Sequence, residues 1–264
     1  MLRIVAAATL TVTTLAGCSS GHTTPPVAGQ HPTASAAASR PAVTTAAQTR
    51  WAIPTFPPAP PPQRITIAPG PEVPYLHSIP TKQRVAFLTI DDGFVKNPDA
   101  PKLIAAAHIP VTLFLTENLI KDDPAFFKPM LSNGAVIEDH TITHTELRGK
   151  SYAFQKHEIC ASTDQLTTWF GRRPVLFRPP FGDEDQNTLR AAHDCGMTAA
   201  FMWKATVDKG IVRYQTSSHA LEPGDIVLMH FRPAFVQDFL AALAAIHRAR
   251  LTPALLEDYM PAAS

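Results

Sequence analysis

Short apolar runs alternate with amphipathic stretches from residue 84 to residue 250 of the chain. The apolar runs are rich in Val, Ile, Leu and Phe, which is typical of buried strands. They predict strands at 84–90, 111–115, 135–139, 175–178, 198–203 and 226–229. The stretches between them predict helices at 99–107, 124–133, 151–170, 184–195, 214–221 and 235–250, several of which end at a Gly or before a Pro.

Regular alternation of strand and helix implies parallel strands that are joined by helical crossovers. Such strands form either a closed barrel or an open, doubly wound sheet. The pattern therefore predicts an α/β fold, and the sequence contains no internal repeat.

The first residues have the pattern of a secretion signal. Arg3 precedes a short run of apolar or small residues that closes on Leu-Ala-Gly-Cys at 15–18. The run is too short to span a membrane. Its end resembles a bacterial lipobox, which predicts a signal peptide at 1–17 and an extracytoplasmic protein anchored to the cell membrane by lipid at Cys18. The alternative is an ordinary secretory signal with an incidental cysteine.

Composition changes sharply after the signal. Residues 18–64 are rich in Ala, Thr, Ser and Pro and include the run PPAPPP at 57–62. Such a segment buries too little apolar surface to fold, and its prolines favour an extended spacer. We expect a tether at 18–64 that holds a single domain, 65–264, away from the membrane.

The charge of the chain excludes some partners. Its formal net charge is +1, and Lys and Arg are scattered along it. A surface that tracks nucleic-acid phosphates needs clustered cations. We therefore expect no nucleic-acid partner, and no protein partner is evident; membrane contact is expected through the lipid anchor alone.

Two further cysteines, Cys160 and Cys195, fall on predicted helices that flank one strand. Outside the cytoplasm a disulfide between them would form and persist. The alternative is two buried free thiols, because sequence alone does not fix the distance between the side chains.

Side chains capable of chemistry follow the predicted strands at their carboxyl ends. They are Asp91, Asp92, His140, His144, Arg178, Trp203 and His230. In parallel α/β folds ligands bind at this end of the strands. We expect these separate segments to converge on one face.

Each feature has a structural explanation when it is taken alone. Asp91 and Asp92 could form a turn with the following glycine, and His140 and His144 could be surface histidines. The segment after Arg178 could be a rigid loop, and His230 could be a core histidine. Their joint occurrence on one face favours an active site.

Four segments, in this order, resemble motifs of the polysaccharide deacetylases, the NodB-homology domains of carbohydrate esterase family 4. They are TIDDG at 89–93, HTITH at 140–144, RPPFG at 178–182 and LMH at 228–230. The resemblance covers residues 84–250. It implies a distorted (β/α) barrel with fewer than eight units and a divalent metal, most often zinc, held by one aspartate and two histidines.

The resemblance also implies a role for each polar residue. Asp92, His140 and His144 would hold the metal, and three ligands leave coordination positions open, as a catalytic site requires. Asp91 would be the general base, oriented by Arg178. His230 would protonate the leaving amine.

Three residues are expected to contact the substrate. In family members a backbone N–H of the third motif, here around Phe181, stabilises the developing oxyanion. Trp203 and Leu228 would form the wall of the pocket for the acetyl methyl group. Ordinary core packing is an equally good explanation for these two side chains.

One motif departs from the family. Many members have an aspartate directly after the tryptophan, and it tunes the acid histidine, but the run here is WKATVDKG at 203–210. Asp208, Asp183 or Asp185 could replace it, or no residue does.

The expected function is hydrolysis of N-acetyl groups on an N-acetylglucosamine-containing polysaccharide. Peptidoglycan is favoured because a lipid-anchored envelope protein meets that polymer first. Removal of acetyl esters from a xylan-type polymer is the alternative within enzymes. A non-catalytic glycan-binding surface lipoprotein is another possibility, and a solute-binding lipoprotein would need two similar lobes.

Overall fold

The computed structural model describes residues 50–261. The predicted signal peptide, the lipidation site Cys18 and the first part of the predicted tether lie outside the described residues. Among residues 50–261, no helix has the length and apolar character needed to cross a membrane.

A sheet of mainly parallel strands forms the centre of the described chain. Its strands are β1 (Tyr75–Leu76), β2 (Val85–Asp92), β3 (Val111–Leu115), β4 (Ala135–Asp139), β5 (Leu176–Phe177), β6 (Ala199–Phe201), β7 (Ala205–Asp208), β8 (Ile211–Tyr214), β9 (Ile226–His230) and β10 (Thr252–Pro253). Their order is β1-β6-β5-β4-β3-β2-β9-β7-β8, and β10 pairs with the start of β2. The pair β7 and β8 is antiparallel, whereas the other pairs are parallel.

The segment that runs from β6 to β7 closes the sheet into a barrel. β6 pairs with β5, whereas β7, which follows shortly after it, pairs with β9. The Lys204 N–H donates to the Ile226 carbonyl at 2.9 Å at the crossing point. One continuous stretch therefore connects β6, next to one end of the parallel run, with β7 at the other end, and the predicted distorted (β/α) barrel is confirmed.

Helices cover the outside of the barrel. They are α1 (Ala100–Ala107), α2 (Glu117–Ile120), α3 (Lys128–Leu131), α4 (Tyr152–Phe170), α5 (Gln186–Asp194) and α6 (Phe235–Arg248). Along β2, Leu88 and Ile90 pack in the same apolar cluster as these helices, whereas Phe87 belongs to the cluster inside the barrel. Side chains alternate along a strand, so Asp91 shares the inner face with Phe87.

The predicted helix at 214–221 is wrong. A β-hairpin of β7 and β8 ends at Tyr214, where the helix was expected to begin, and no helix lies between β8 and β9. Lys209 and Gly210 form the two-residue turn with φ of 52° and 73°, and positive φ at both positions matches the twist of paired strands. The hairpin was missed because Lys-Gly is a weaker turn signal than Asn-Gly or Asp-Gly.

The described end of the predicted tether packs against the barrel. Ile53 is buried in the main core cluster. Phe56 meets His247 of α6 edge to face, with 5.9 Å between the ring centroids. Arg64 Nη1 donates to the Met260 carbonyl at 2.6 Å. These contacts place residues of the proline-rich stretch on the domain surface.

A disulfide joins Cys160 of α4 to Cys195, the residue at the carboxyl end of α5. The sequence left two alternatives, a disulfide or two free thiols, and the structure contains the disulfide. It links two helices, of which one packs on β4 and the other on β6.

Two acidic side chains, Glu138 and Glu257, lie near each other; Glu138 is fully buried and Glu257 is partly buried. Glu138 Oε1 accepts from Arg172 Nη2 at 2.8 Å, and its Oε2 accepts two backbone N–H bonds. Glu257 Oε2 accepts from the Thr112 hydroxyl at 2.8 Å, whereas its Oε1 has no hydrogen-bond partner within residues 50–261. Burial, together with the charge of Glu138, raises the pKa of Glu257 well above its ordinary value.

We expect Glu257→Gln to raise the melting temperature at pH 8 and to change it little near pH 4. An unfolded glutamate has a pKa of about 4.3. Because the folded pKa is higher, the folded state favours the protonated acid, and ionisation lowers stability as the pH rises from about 4.3 through the raised pKa. The neutral amide removes that loss. Thermal unfolding followed by circular dichroism at both pH values measures it.

Glu138→Gln is the matched control for this prediction. It replaces one of the two acceptor oxygens, so either Arg172 or the two backbone N–H groups lose their partner, and the melting temperature should fall at both pH values. If Glu257→Gln lowers the melting temperature equally at both pH values, ionisation of Glu257 does not destabilise the folded state and the prediction is wrong.

Candidate active site

A tight turn at the end of β2 places two carboxylates at the mouth of the barrel. Asp92 and Gly93 both have positive φ, 74° and 86°. A side chain at Gly93 would meet the Ile120 side chain at 2.3 Å, so both the backbone and the available space require glycine here. The turn directs Asp91 and Asp92 toward the same region of the barrel mouth.

The loop after β4 carries both histidines. Thr141 and His144 adopt left-handed conformations with φ of 70° and 58°. Such backbone is costly for residues other than glycine and persists only where the surroundings hold it. The Thr141 N–H donates to Asp139 Oδ1 at 2.7 Å, and the His144 N–H donates to the Thr141 hydroxyl at 3.1 Å. The two histidines therefore lie in a loop and not on a helix.

Asp92, His140 and His144 come together as the sequence predicts. One candidate ligand atom from each lies within 4.8 Å of the other two. Asp92 Oδ1 is 3.6 Å from His140 Nε2 and 3.3 Å from His144 Nε2. The cluster combines the two imidazoles and one carboxylate that catalytic zinc sites use.

Two observations show that these residues fit a divalent metal. Asp92 Oδ1 is buried without a hydrogen-bond partner among the described residues, and a buried oxygen of this kind needs a ligand. His140 Nδ1 lies 2.6 Å from the Arg178 carbonyl, so this nitrogen carries the proton and Nε2 keeps its lone pair for a metal. Burial lowers the pKa of His140 to about 3, which keeps the imidazole neutral.

Arg178 forms a buried ion pair with Asp91. Its Nη1 donates to Asp91 Oδ1 at 2.7 Å and to the Thr89 hydroxyl at 2.8 Å. The guanidinium carbon lies 4.3 Å from the centroid of the Phe114 ring, and the whole arginine is buried. Burial raises the pKa of Asp91, and the charge of Arg178 opposes that rise. The arginine fixes Oδ1 of Asp91, and Oδ2 faces the side chains of His140, His144 and Asp92.

His230 lies beside Asp91 at the mouth of the barrel. The two residues are direct partners in the parallel pair of β9 and β2, so their side chains share one face of the sheet. Burial lowers the pKa of His230, and the charges of Asp91 and Asp92 oppose that change.

Asp183 and Asp185 are engaged in other contacts. Asp183 lies 3.7 Å from Arg148, and Asp185 caps α5 by accepting from the Thr188 N–H. Asp208 lies on β7 and makes no side-chain hydrogen bond with His230. Within the described residues His230 has no carboxylate hydrogen-bond partner, and the charges of Asp91 and Asp92 act on it instead.

The three predicted substrate contacts differ in exposure. Phe181 has a φ of 64° and is 61% exposed, with its ring 4.7 Å from that of His144. Trp203 is half-buried below the third motif, and Leu228 is almost fully buried. Of these three residues, only Phe181 is exposed enough to contact a polysaccharide chain directly.

A cavity of about 490 Å³ opens beside the cluster of Asp92, His140 and His144. Its lining includes the candidate ligands Asp92 and His144, together with Phe94, Leu119 and Arg232. This volume lies in the range of small-ligand pockets. Phe94 and Arg232 were not identified from the sequence, although Phe94 directly follows the first motif and Arg232 lies two residues after the fourth.

Comparison with known proteins finds relatives of this domain. Residues 78–200 match the polysaccharide deacetylase family. An uncharacterized protein of Streptomyces coelicolor is 44% identical over 158 residues, which cover 58% of this chain and 62% of that protein. Peptidoglycan-N-acetylmuramic acid deacetylase PdaA of Bacillus subtilis is 27% identical over 161 residues, covering 57% of this chain and 61% of that enzyme. The chain thus spans about three fifths of the length of these relatives.

Solved structures agree with the fold. The structure of Bacillus subtilis PdaA superposes with a TM-score of 0.59 at 19% identity, covering 70% of this chain and 84% of that one. A pseudoenzyme of carbohydrate esterase family 4 from Bacillus anthracis gives 0.62 at 16% identity, with 71% and 69% covered. These structures therefore share the fold of the described chain.

Proposed function

We propose that this domain is a metal-dependent deacetylase that removes N-acetyl groups from an N-acetylglucosamine-containing polysaccharide, namely cell-wall peptidoglycan. The observation that carries the proposal is the cluster of Asp92, His140 and His144 with its unpartnered carboxylate oxygen. A second carboxylate, Asp91, lies against the same cluster but is bound by an arginine. One carboxylate is thus available as a ligand and the other as a base.

Zinc suits two neutral imidazoles and one carboxylate, although other divalent ions accept the same set. When bound, the ion would polarise the acetyl carbonyl and make a water more acidic. Asp92, His140 and His144 would hold it.

The protein's own residues supply the proton transfers. Asp91 would accept the proton of the attacking water at Oδ2, because Oδ1 is bonded to Arg178. His230, opposite Asp91 across the strand pair, would donate a proton to the leaving amine. The backbone N–H at Phe181 would donate to the developing oxyanion.

Arg232 supports peptidoglycan as the substrate. This cation lines the cavity next to Asp92 and His144, and it forms no ion pair within residues 50–261. Peptidoglycan carries carboxylates on its muramic acid residues and stem peptides, whereas the main chains of chitin and xylan are uncharged. Relatives of the chain include enzymes named peptidoglycan-N-acetylmuramic acid and peptidoglycan-N-acetylglucosamine deacetylases.

We further propose that the protein is extracytoplasmic and anchored by lipid at Cys18. The motif at 15–18 supports this location, which would place the domain beside the cell wall. Fractionation of cells that carry Cys18→Ala tests it: a variant still retained in the membrane fraction would contradict the anchor.

Acetate release is the direct test of the activity. The purified protein should release acetate from peptidoglycan, and it should do so more slowly from N-acetylglucosamine oligomers. Removal of metal by a chelator should abolish release, and added zinc should restore it. Chelator-resistant release would contradict the metal requirement, and release from acetylated xylan alone would assign the site to esters instead.

A further inference from the structure

The second metal-ligating histidine, His144, has little that fixes its ring directly. His140 is oriented by a hydrogen bond from its Nδ1 to the Arg178 carbonyl. The ring of His144 makes no such bond within the described residues, contacts Phe181 edge to face, and is partly exposed. The position of His144 Nε2 therefore depends on the backbone of the loop that carries it.

That loop is fastened to α4 by Glu158. Glu158 Oε2 accepts from the Thr143 N–H at 2.9 Å and from the Thr143 hydroxyl at 3.0 Å. The carboxylate is almost fully buried, and no cation forms an ion pair with it in the part of the chain that the structure describes. Hydrogen bonds to a charged acceptor are stronger than neutral ones, so this contact is a firm link at the residue before His144.

The loop needs such a link because of its backbone conformation. Thr141 and His144 both have positive φ, which residues other than glycine adopt only when their surroundings enforce it. The first turn of α2 holds the other side of the loop, with the Glu117 N–H on the Thr141 carbonyl and the Asn118 N–H on the Ile142 carbonyl, both at 3.0 Å. Glu158 thus completes the set of contacts immediately before His144.

We infer that Glu158 is a positioning residue that sets the metal affinity of the site by holding Thr143, and through it His144. This inference rests on the proposed metal-dependent function. Residues that orient metal ligands without touching the metal alter affinity about 10- to 100-fold when they are mutated. Glu158 belongs to this class, although it lies on the outer helix and not in a motif at the barrel mouth.

The test is zinc affinity, measured on metal-free protein by competition with a chromogenic chelator. Glu158→Ala should weaken zinc binding about 10- to 100-fold. The isosteric Glu158→Gln should weaken it less, because its amide oxygen still accepts from Thr143. The absorption bands of cobalt(II)-loaded protein should shift in both variants, since they report the arrangement of the ligands.

Leu166→Ala is the matched control, because Leu166 is a buried residue of the same helix that packs in the apolar core. It should lower the melting temperature of the metal-free protein but leave zinc affinity and the cobalt bands unchanged. If Glu158→Gln and Glu158→Ala behave in the same way as Leu166→Ala, Glu158 is only a structural residue and the inference falls.

A double variant tests the route through Thr143. Thr143→Val removes the hydroxyl donor and should weaken zinc binding in the wild-type background but not in Glu158→Ala. Full additivity of the two effects would overturn the route. Failure of the wild-type protein to bind zinc or cobalt(II) would instead overturn the proposed metal site, so the two failures are distinct.

Discussion

Asp91→Asn is expected to retain zinc and to lower the rate of acetate release by about 10²- to 10⁴-fold, the usual contribution of a general base. Asp91 is not one of the three clustered ligands. Its Oδ2 lies 3.7 Å from His140 Nε2, while its Oδ1 is bonded to Arg178. An asparagine keeps the shape and can still accept from the arginine, but it does not take a proton from water at neutral pH.

His140→Ala is the matched comparison, because it removes a ligand and should lose zinc and activity together. Metal content by elemental analysis and kcat on acetylated glucosamine oligomers separate the two variants. Turnover by Asp91→Asn at the wild-type rate would overturn the base assignment. Loss of zinc from that variant would instead make Asp91 a ligand.

The repeated β-α units were predictable because their signal is local. A buried strand such as β2 is a continuous apolar run, and the glycines after α4 and α5 mark helix ends. The hairpin of β7 and β8 was not predictable in the same way. Its register depends on the turn at Lys209 and Gly210 and on packing against α6, and neither is visible as periodicity.

The candidate site was predictable as a set of residues rather than as a geometry. Carboxyl ends of parallel strands meet, so Asp92, His140 and Arg178 had to converge once the strands were placed. Thr89 and Glu158 were missed because their roles arise from contacts between distant parts of the chain. Thr89 meets Arg178 across 89 positions of sequence, and Glu158 acts from the outer helix.

The left-handed backbone at Asp92, Thr141, His144 and Phe181 was equally hidden from the sequence. None of these residue types predicts a positive φ as strongly as glycine does. Four such positions at one end of a barrel indicate that the surrounding contacts, and not local preference, set the arrangement of the site.

Arg178→Met is expected to lower the free energy of unfolding by about 3–5 kcal/mol, because it leaves the charge of Asp91 buried without its partner. Both side chains are almost completely buried, and the arginine also bonds to Thr89 and packs on Phe114. Urea unfolding of the metal-free protein, followed by circular dichroism, measures the loss. Arg178→Lys keeps the charge but loses the planar fork, so its free energy of unfolding should lie between those of the wild type and Arg178→Met. It replaces the methionine variant in this test if that variant does not fold.

The double variant Arg178→Met with Asp91→Asn distinguishes a lost ion pair from lost packing. Asparagine removes the unpaired charge, so the double variant should be more stable than Arg178→Met by about 1 kcal/mol or more, within the usual range of coupling between contacting residues. Simple addition of the two single losses would mean that the arginine stabilises the barrel through Thr89 and Phe114 alone. In that case Asp91 would owe its position to the turn at Asp92 and Gly93, and Arg178 would no longer be needed to explain how the base is held.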